Sequence, residues 1–362
     1  MIAGGGTGGH YFPALAVARK LRERGHEVLF VGSKRGIEGR LGFPAREKLL
    51  LDHSSFRGRG LKALLSLPVY GRAVFESFRF LKRLRPDVTL VFGGYSSLPV
   101  GLASYLLKIP LFIQEQNSFP GRTNRILSRF AVEAFVGFPG ASKHLNCPSL
   151  FTGNPLRREV LEWAGRKEEL RRRVIRELSL DERKKTLLVI GGSQGALWMN
   201  RLLVRAAEGL GKMGVQVIHV TGYGKDEGLR EAYNRAGVRA VLFPFHPRPW
   251  ELYASCDGAV SRAGALAISE LSAFAIPSIL IPYPFAADRH QYLNGEFVAG
   301  RGGALLYRQE ELTLELFLQS VREILFDIMV RERMRKALSS IFPPDPTSLV
   351  VREIEEWKGR RS

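Results

Sequence analysis

The sequence predicts an α/β fold of two Rossmann-like, doubly wound parallel-sheet domains. Three observations predict it. Short apolar runs alternate with helical stretches along the whole chain, as expected for parallel strands covered by helices on both faces. Glycine-rich turns at Gly4–Gly9, Gly93–Gly94 and Gly191–Gly195 follow strand-like runs, where a buried strand hands over to a helix. The length, 362 residues, suits two domains of ordinary size.

Taken in order, Met1–Ala3 gives a minimal first strand before the loop Gly4–His10. A helix is expected over Ala14–Arg24, starting just after Pro13, because proline suits a first helical turn. Val28–Val31, Val88–Phe92, Leu111–Gln114 and Ala134–Val136 are apolar enough for buried strands. Phe75–Leu84 between them has helical apolar spacing with basic flanks. The second half repeats the scheme. Its strands are Leu187–Ile190, Val215–Thr221, Ala240–Phe243, Gly258–Val260 and Ser278–Ile281; its helices are Leu197–Gly209, Ala265–Ala273 and Leu312–Leu325. The turn-forming Thr152-Gly153-Asn154-Pro155 marks the boundary, giving domains 1–153 and 154–344. Pro343-Pro344-Asp345-Pro346 precedes a last helix within 345–362, expected to cross back onto the first domain.

Formal net charge is +19, and it is uneven: residues 1–150 hold 22 Lys and Arg against 9 Asp and Glu. A basic half points to an anionic partner such as a membrane surface, a phosphorylated substrate or nucleic acid. Nucleic acid is disfavoured, because aromatics do not interleave with basic residues near the glycine loops. Two distant cysteines, Cys147 and Cys256, argue against a disulfide framework and for a reducing compartment. No Cys/His cluster or Asp-x-Asp suggests a metal, and no cofactor is expected. No signal peptide is expected before Gly4, and no apolar run is long enough to span a bilayer.

Gly4, Gly6 and Gly9 satisfy the dinucleotide fingerprint G-x-G-x-x-G. That fingerprint expects an acid at the end of the second strand, and Val28–Val31 runs into Gly32, Ser33, Lys34 and Arg35 instead. NAD is disfavoured; an NADP oxidoreductase remains an alternative, and it leaves the Gly191–Ala196 turn unexplained. His10 ends the first loop, and its ordinary pKa suits a general base near neutral pH.

Seven motifs in order carry a resemblance. They are GGGTGGHYFP at Gly4–Pro13, GGYSSLPVG at Gly93–Gly101, QEQNSFPGRTN at Gln114–Asn124, TGNPLR at Thr152–Arg157, GGSQGA at Gly191–Ala196, SRAGALAISEL at Ser261–Leu271 and DRHQYLN at Asp288–Asn294. The series closely resembles the MurG family of bacterial glycosyltransferases over essentially the whole chain. The resemblance implies the GT-B architecture, with two domains facing across a cleft. It implies transfer of N-acetylglucosamine from UDP-GlcNAc to the C4 hydroxyl of the muramoyl sugar of lipid I, with inversion, giving lipid II for peptidoglycan synthesis. A related glycolipid synthase or sugar-nucleotide epimerase is the alternative within the same fold.

The resemblance also implies roles. His10 is the first candidate base and Glu115 the second, with Tyr95 orienting the acceptor. Thr7, Gly8, Gly9, Asn117 and Arg157 match positions at the UDP-GlcNAc site. Ser193, Gln194 and Gly195, with Ala265 and Leu266, are expected to meet the leaving-group phosphates. Glu270 is expected on the ribose hydroxyls, Gln291 on the donor sugar, and Phe245 and His246 near the uracil. His290 departs from the second glutamine of many relatives. The acceptor's polyprenyl tail implies a peripheral enzyme on the cytoplasmic face of the membrane, with other cell-wall synthesis proteins as further partners. Residues 57–85 fit an anionic surface: Arg57, Arg59, Lys62, Arg72, Arg79, Lys82, Arg83 and Arg85 interleave with Leu61, Leu64, Leu65, Leu67, Val69, Phe75, Phe78 and Phe80.

Overall fold

A computed structural model describes residues 1–52, 67–192 and 196–360. The chain divides into two compact units, Met1–Arg157 with Asp345–Ser362, and Arg158–Pro344.

The first unit holds a seven-stranded parallel sheet in the order β3-β2-β1-β4-β5-β6-β7. Its strands are β1 (Ile2–Ala3), β2 (Leu29–Ser33), β3 (Glu47–Leu51), β4 (Thr89–Val91), β5 (Leu111–Glu115), β6 (Glu133–Val136) and β7 (Ser149–Phe151). Because side chains alternate along a strand, the sheet feeds two cores. Ile2, Phe30, Leu90, Phe112 and Phe135 join one. Ala3, Val31, Val91, Ile113 and Val136 join the other. The first core is covered by the helix Gly8–Glu23 and the last helix, Pro346–Gly359, through Val350, Val351 and Ile354. Glu355 pairs with Arg24 and His26, and Lys358 pairs with Asp87. Thr347 Oγ1 donates to Leu156 O and accepts from Leu156 N, pinning the start of this helix to the end of the Thr152–Arg157 segment. The second core is covered by the helices Leu67–Leu84 and Ser97–Leu106.

The second unit holds a six-stranded parallel sheet in the order β10-β9-β8-β11-β12-β13. These are β8 (Thr186–Ile190), β9 (Gln216–Val220), β10 (Ala240–Phe243), β11 (Gly258–Ser261), β12 (Ser278–Leu280) and β13 (Ala304–Leu306). The helices Leu197–Lys212 and Leu314–Phe326 pack Met199, Leu203, Phe317 and Val321 onto it.

The helix Leu67–Leu84 starts well before the expected Phe75, and other features also differ from the sequence expectation. The first helix begins at Gly8, with Pro13 inside it, rather than after Pro13. Thr7 is the extended cap, and its carbonyl accepts from the amides of His10 and Tyr11, so the turn closes before the proline. Strands β3, β7 and β13 are additional. All three lie at sheet edges and are only partly buried; β3 opens on Glu47 and Lys48, and β7 and β13 are only three residues long, so none stood out as a strand.

Candidate active site

Parallel strands of an open α/β sheet present their carboxyl ends to ligands. In the first unit the loops after β1, β4 and β5 are tied together there. Gly5 and Gly6 have φ of 147° and 87°, and Gly93 and Gly94 have 84° and 79°, backbone that favours glycine. A Cβ on Gly94 would stand 2.7 Å from Gly5 O, so the two turns are in contact. Ser97 Oγ is within bonding distance of Ala3 O and Gly93 O, and Gln116 Nε2 donates to Phe92 O.

His10 stands in the first turn of its helix, half-buried, over these glycines. A Cβ on Gly93 would lie 3.3 Å from His10 Nε2 and 3.4 Å from Asn124 Nδ2, so imidazole and amide converge on one point. Thr7 Oγ1 is 3.3 Å from His10 Nδ1, and Nε2 lies over Gly93. Gly8 and Gly9 form the start of the same helix. Tyr95 is exposed in the turn after β4, beside Tyr70.

Glu115 is buried at the end of β5, and its oxygens accept from four groups of its own loop. Asn117 N donates at 2.9 Å, Gly121 N at 3.1 Å, Asn124 Nδ2 at 2.8 Å and Asn117 Nδ2 at 3.4 Å. Burial pushes its carboxyl up, and these donors pull against that shift. The arrangement fixes residues 116–124 around the carboxylate. Asn154, also buried, links this loop to the segment ending in Arg157 through Gln114 and Gln116 O. The Arg157 guanidinium lies 4.6 Å over the Phe12 ring, in the first unit.

In the second unit the turn after β11 starts the helix Ala265–Ala273, with Gly264 as its cap, so the Ala265 and Leu266 amides head that helix. Glu270, one turn further on, is buried and accepts from Tyr253 Oη at 2.9 Å. Gln291 Oε1 accepts from Tyr283 N at 2.9 Å, which turns its Nε2 to other partners. His290 Nδ1 lies 2.7 Å from Ala287 O. Phe245 is exposed after β10, whereas His246 is mostly buried, with its Nε2 3.8 Å from Glu251 Oε2. Burial lowers the His246 pKa, and Glu251 opposes the shift. Ser193, Gln194 and Gly195, the centre of the expected phosphate turn, lie outside the described residues.

Residues 1–136 match the glycosyltransferase family 28 N-terminal domain, and residues 186–344 match the C-terminal domain of the same family. A protein of Anaeromyxobacter sp. (strain K) is 37% identical over 371 residues, covering 100% of this chain and 93% of the relative. It is named UDP-N-acetylglucosamine--N-acetylmuramyl-(pentapeptide) pyrophosphoryl-undecaprenol N-acetylglucosamine transferase. A protein of the same name from Halorhodospira halophila is 39% identical, with 98% and 97% covered. The crystal structure of Acinetobacter baumannii MurG aligns with a TM-score of 0.75 at 28% identity, over 98% of both chains. The chain belongs to the MurG family of glycosyltransferases. Its two parallel sheets are those of the GT-B fold.

For a MurG-family chain, the dinucleotide-like first loop needs a physical account, and Glu38 supplies one. Sequence reasoning found no acid directly after β2. Glu38 lies a few residues beyond it, folds back and accepts from Ser33 N at 2.7 Å and from Gly6 N at 2.9 Å. A Cβ on Gly5 would meet its Oε1 at 2.0 Å. An internal carboxylate therefore occupies the Gly6 amide that a dinucleotide phosphate would use, and the NADP reading gives way. Other residues were also missed. Asn294 Nδ2 donates to Ala263 O, holding the helix His290–Ala299 to the turn before Glu270's helix. Arg262 Nη1 donates to Ile281 O and Pro282 O, and burial lowers its pKa to about 10. Asn200 joins buried His219 and Tyr233 and donates to Thr221 O and Lys225 O, anchoring the helix that follows residues 193–195. Arg262 and Asn294 stand inside the motifs SRAGALAISEL and DRHQYLN with no role assigned to them, and the only sequence signal for Asn200 was a polar residue on an otherwise apolar helix face.

Proposed function

We propose that the chain transfers N-acetylglucosamine from UDP-N-acetylglucosamine to the C4 hydroxyl of the muramoyl sugar of a polyprenyl-pyrophosphate acceptor, with inversion. The observation that carries the reading is the meeting of His10, Gly93, Gly94 and Asn124 at the carboxyl ends of β1, β4 and β5, in a chain of this family. His10 Nε2 takes the proton as the acceptor oxygen attacks the anomeric carbon from the face opposite UDP, and UDP leaves with the bonding electron pair. Thr7 orients the imidazole. Glu115 acts as the clamp that sets Asn117 and Asn124, because its oxygens already accept from four donors. Tyr95 faces the acceptor.

In the second unit, Glu270 accepts from the ribose hydroxyls, and Gln291 donates through Nε2 to the donor sugar. The Ala265 and Leu266 amides meet the pyrophosphate charge, together with Ser193, Gln194 and Gly195. Phe245 and His246 border the uracil, and Arg157, Gly8 and Gly9 contact the nucleotide sugar. The test is labelled UDP-GlcNAc with a lipid I analogue in EDTA. Transfer to the lipid is expected, and none without acceptor. Release of free sugar without acceptor would favour an epimerase or hydrolase instead. Glu270→Ala should weaken UDP-GlcNAc by about 1.5–3 kcal/mol, the cost of losing bonds to a charged acceptor. An unchanged donor Kd in a variant of normal Tm would remove Glu270 from the site.

The same reading puts the protein peripherally on the cytoplasmic face of the membrane. Among the described residues no helix is long and apolar enough to cross a bilayer. Residues 57–65 of the basic, apolar stretch lie outside the described residues. Along Leu67–Leu84 the faces separate: Ala73, Phe80 and Leu81 enter the core, which corrects the expectation that Phe80 faces lipid. Phe75 is 59% exposed, with Arg79 lying 5.9 Å over its ring. Arg72 and Arg83 pair with Glu76 and Glu47, whereas Arg79, Lys82 and Arg85 remain for lipid. Each such base near an anionic surface is worth about 1 kcal/mol. Replacing these three by Gln should therefore lower binding to anionic vesicles by on the order of 100-fold at low salt. Co-sedimentation across salt concentrations measures it. Equal binding to neutral vesicles, or no loss in the variant, would reduce the patch to ordinary solvated charge.

A further inference from the structure

The second unit contains a cavity of about 220 Å³ that no step above uses. Its wall includes Tyr283, Arg289, Tyr292, Arg308, Gln309 and Glu310. Tyr292 stands on a different side of the helix His290–Ala299 from Gln291, and Arg289 is the left-handed cap residue before that helix. The guanidiniums of Arg289 and Arg308 both lie over the Tyr292 ring, 5.1 and 4.7 Å from its centroid. Two cations are thus held against one ring. Arg308 is partly balanced by Glu311, with Nη1 3.8 Å from Oε1, while Arg289 meets no carboxylate within 4.0 Å among the described residues. Glu310 is exposed at the rim.

Two further features mark a built site. Gln309 Oε1 is buried without a hydrogen-bond partner among the described residues. A buried acceptor left unpaired is costly, and native structures keep few of them without a reason. Asp288 and Arg289 both have positive φ, 50° and 53°, in non-glycine residues. Such backbone strain gathers at ligand clamps. The roof of the cavity, Pro282–Pro284, is held from behind by Arg262, which bonds Ile281 O and Pro282 O. Tyr283 of that roof donates its N–H to Gln291 Oε1.

We propose that this cavity binds a small oxyanion that also carries an N–H or O–H, and that its occupancy is coupled to the donor-sugar contact through the Tyr283–Gln291 hydrogen bond. The anion sits between Arg289 and Arg308 and relieves their mutual repulsion. The donor group satisfies Gln309 Oε1. The volume falls below the roughly 300 Å³ at which drug-sized sites begin, so the occupant is a small carboxylate or phosphate compound. The coupling half rests on the reading of Gln291 given above. The binding half does not.

Calorimetric titration of the full chain tests it with three probes: N-acetylglycine, acetate and inorganic phosphate. N-acetylglycine should bind saturably and more tightly than acetate, and Gln309→Leu should abolish that difference. Arg289→Gln and Arg308→Gln should each weaken every anion by about tenfold, the loss of one charge-assisted contact. A preference for phosphate over N-acetylglycine would assign the anion as phosphate, and the reverse as carboxylate. No saturable binding of any probe, or binding untouched by both arginine variants, overturns the site. A saturating probe should change the Kd for UDP-GlcNAc and leave that for UDP unchanged; equal effects on the two, or none, overturn the coupling. Probe binding in a protein that fails to bind UDP-GlcNAc would sink the donor reading and leave the cavity's own assignment standing.

Discussion

His10→Ala is expected to slow sugar transfer by about 100-fold or more while leaving UDP-GlcNAc affinity near normal. The magnitude is that of a positioned general base. The selectivity follows from where the imidazole sits. Its contacts include Thr7, Gly93 and Gly94 of the first unit, whereas Glu270 and Gln291, proposed on the ribose and the donor sugar, belong to the second; of the first unit only Arg157, Gly8 and Gly9 are proposed against the nucleotide sugar. Removing the ring should lower kcat, spare the donor Kd and change Tm little, since the imidazole is only half-buried. Single-turnover transfer with a lipid I analogue reads the chemical step directly. Added imidazole should restore part of the rate by entering the space over Gly93. Near-normal turnover in His10→Ala would place the base elsewhere. Glu115 would be a poor replacement, because a new proton would compete with four donors already on its oxygens.

Much of this was legible in the sequence for a simple reason. Central parallel strands are buried on both faces, so β8 and the Leu-Phe-Ile start of β5 read as continuous apolar runs. The turns after them need positive φ, so glycine marks Gly5, Gly93 and Gly192. The helix Ala265–Ala273 was legible to the residue. The edge strand β10 was legible too, whereas β3 opens on Glu47 and Lys48, and β7 and β13 are only three residues long, so these three edge strands were not. The less legible part of the site is its buried polar support. Nothing near Glu38 announces that it folds back on Gly6, since it opens a helix of only four residues, Glu38–Leu41, too short to show a period. Asn294 and Asn200 resemble ordinary helix asparagines until the structure gives them carbonyls to hold. Glu270 resembled a solvated helix residue on pattern alone, and burial with Tyr253 sets it apart.

Asp257 belongs to that buried class, and its replacement should have the largest effect on stability. It stands just before β11, mostly buried, and accepts from Thr186 N at 2.9 Å and from Arg171 Nη2 at 3.1 Å. Lys185 Nζ lies 3.5 Å away and Arg331 Nη2 3.7 Å away. One carboxylate thus ties the start of β8, the helix Lys167–Glu177 and the helix Ile328–Ile341 to β11, whose following turn heads the Glu270 helix. Asp257→Ala leaves Arg171 and Arg331, both largely buried, without their counter-charge. Breaking one side of a buried ion pair costs about 3–5 kcal/mol, a large part of the roughly 5–15 kcal/mol that holds a domain together. The expected fall in Tm is on the order of 10 °C. Its pH dependence identifies the cause. Burial presses the Asp257 carboxyl upward, but the Arg171 charge, the Thr186 amide and Lys185 outweigh it and hold the pKa below the usual value. A depressed carboxylate stabilises above its unfolded pKa of about 3.9 and loses that contribution as pH falls through the folded value. The gap in Tm between wild type and variant should therefore be steady from neutral pH down to about 5 and narrow below about 4. Thermal melts across that range measure it. A gap that stays constant into acid, or no gap at neutral pH, would show that the Asp257 charge is not what pins these elements together.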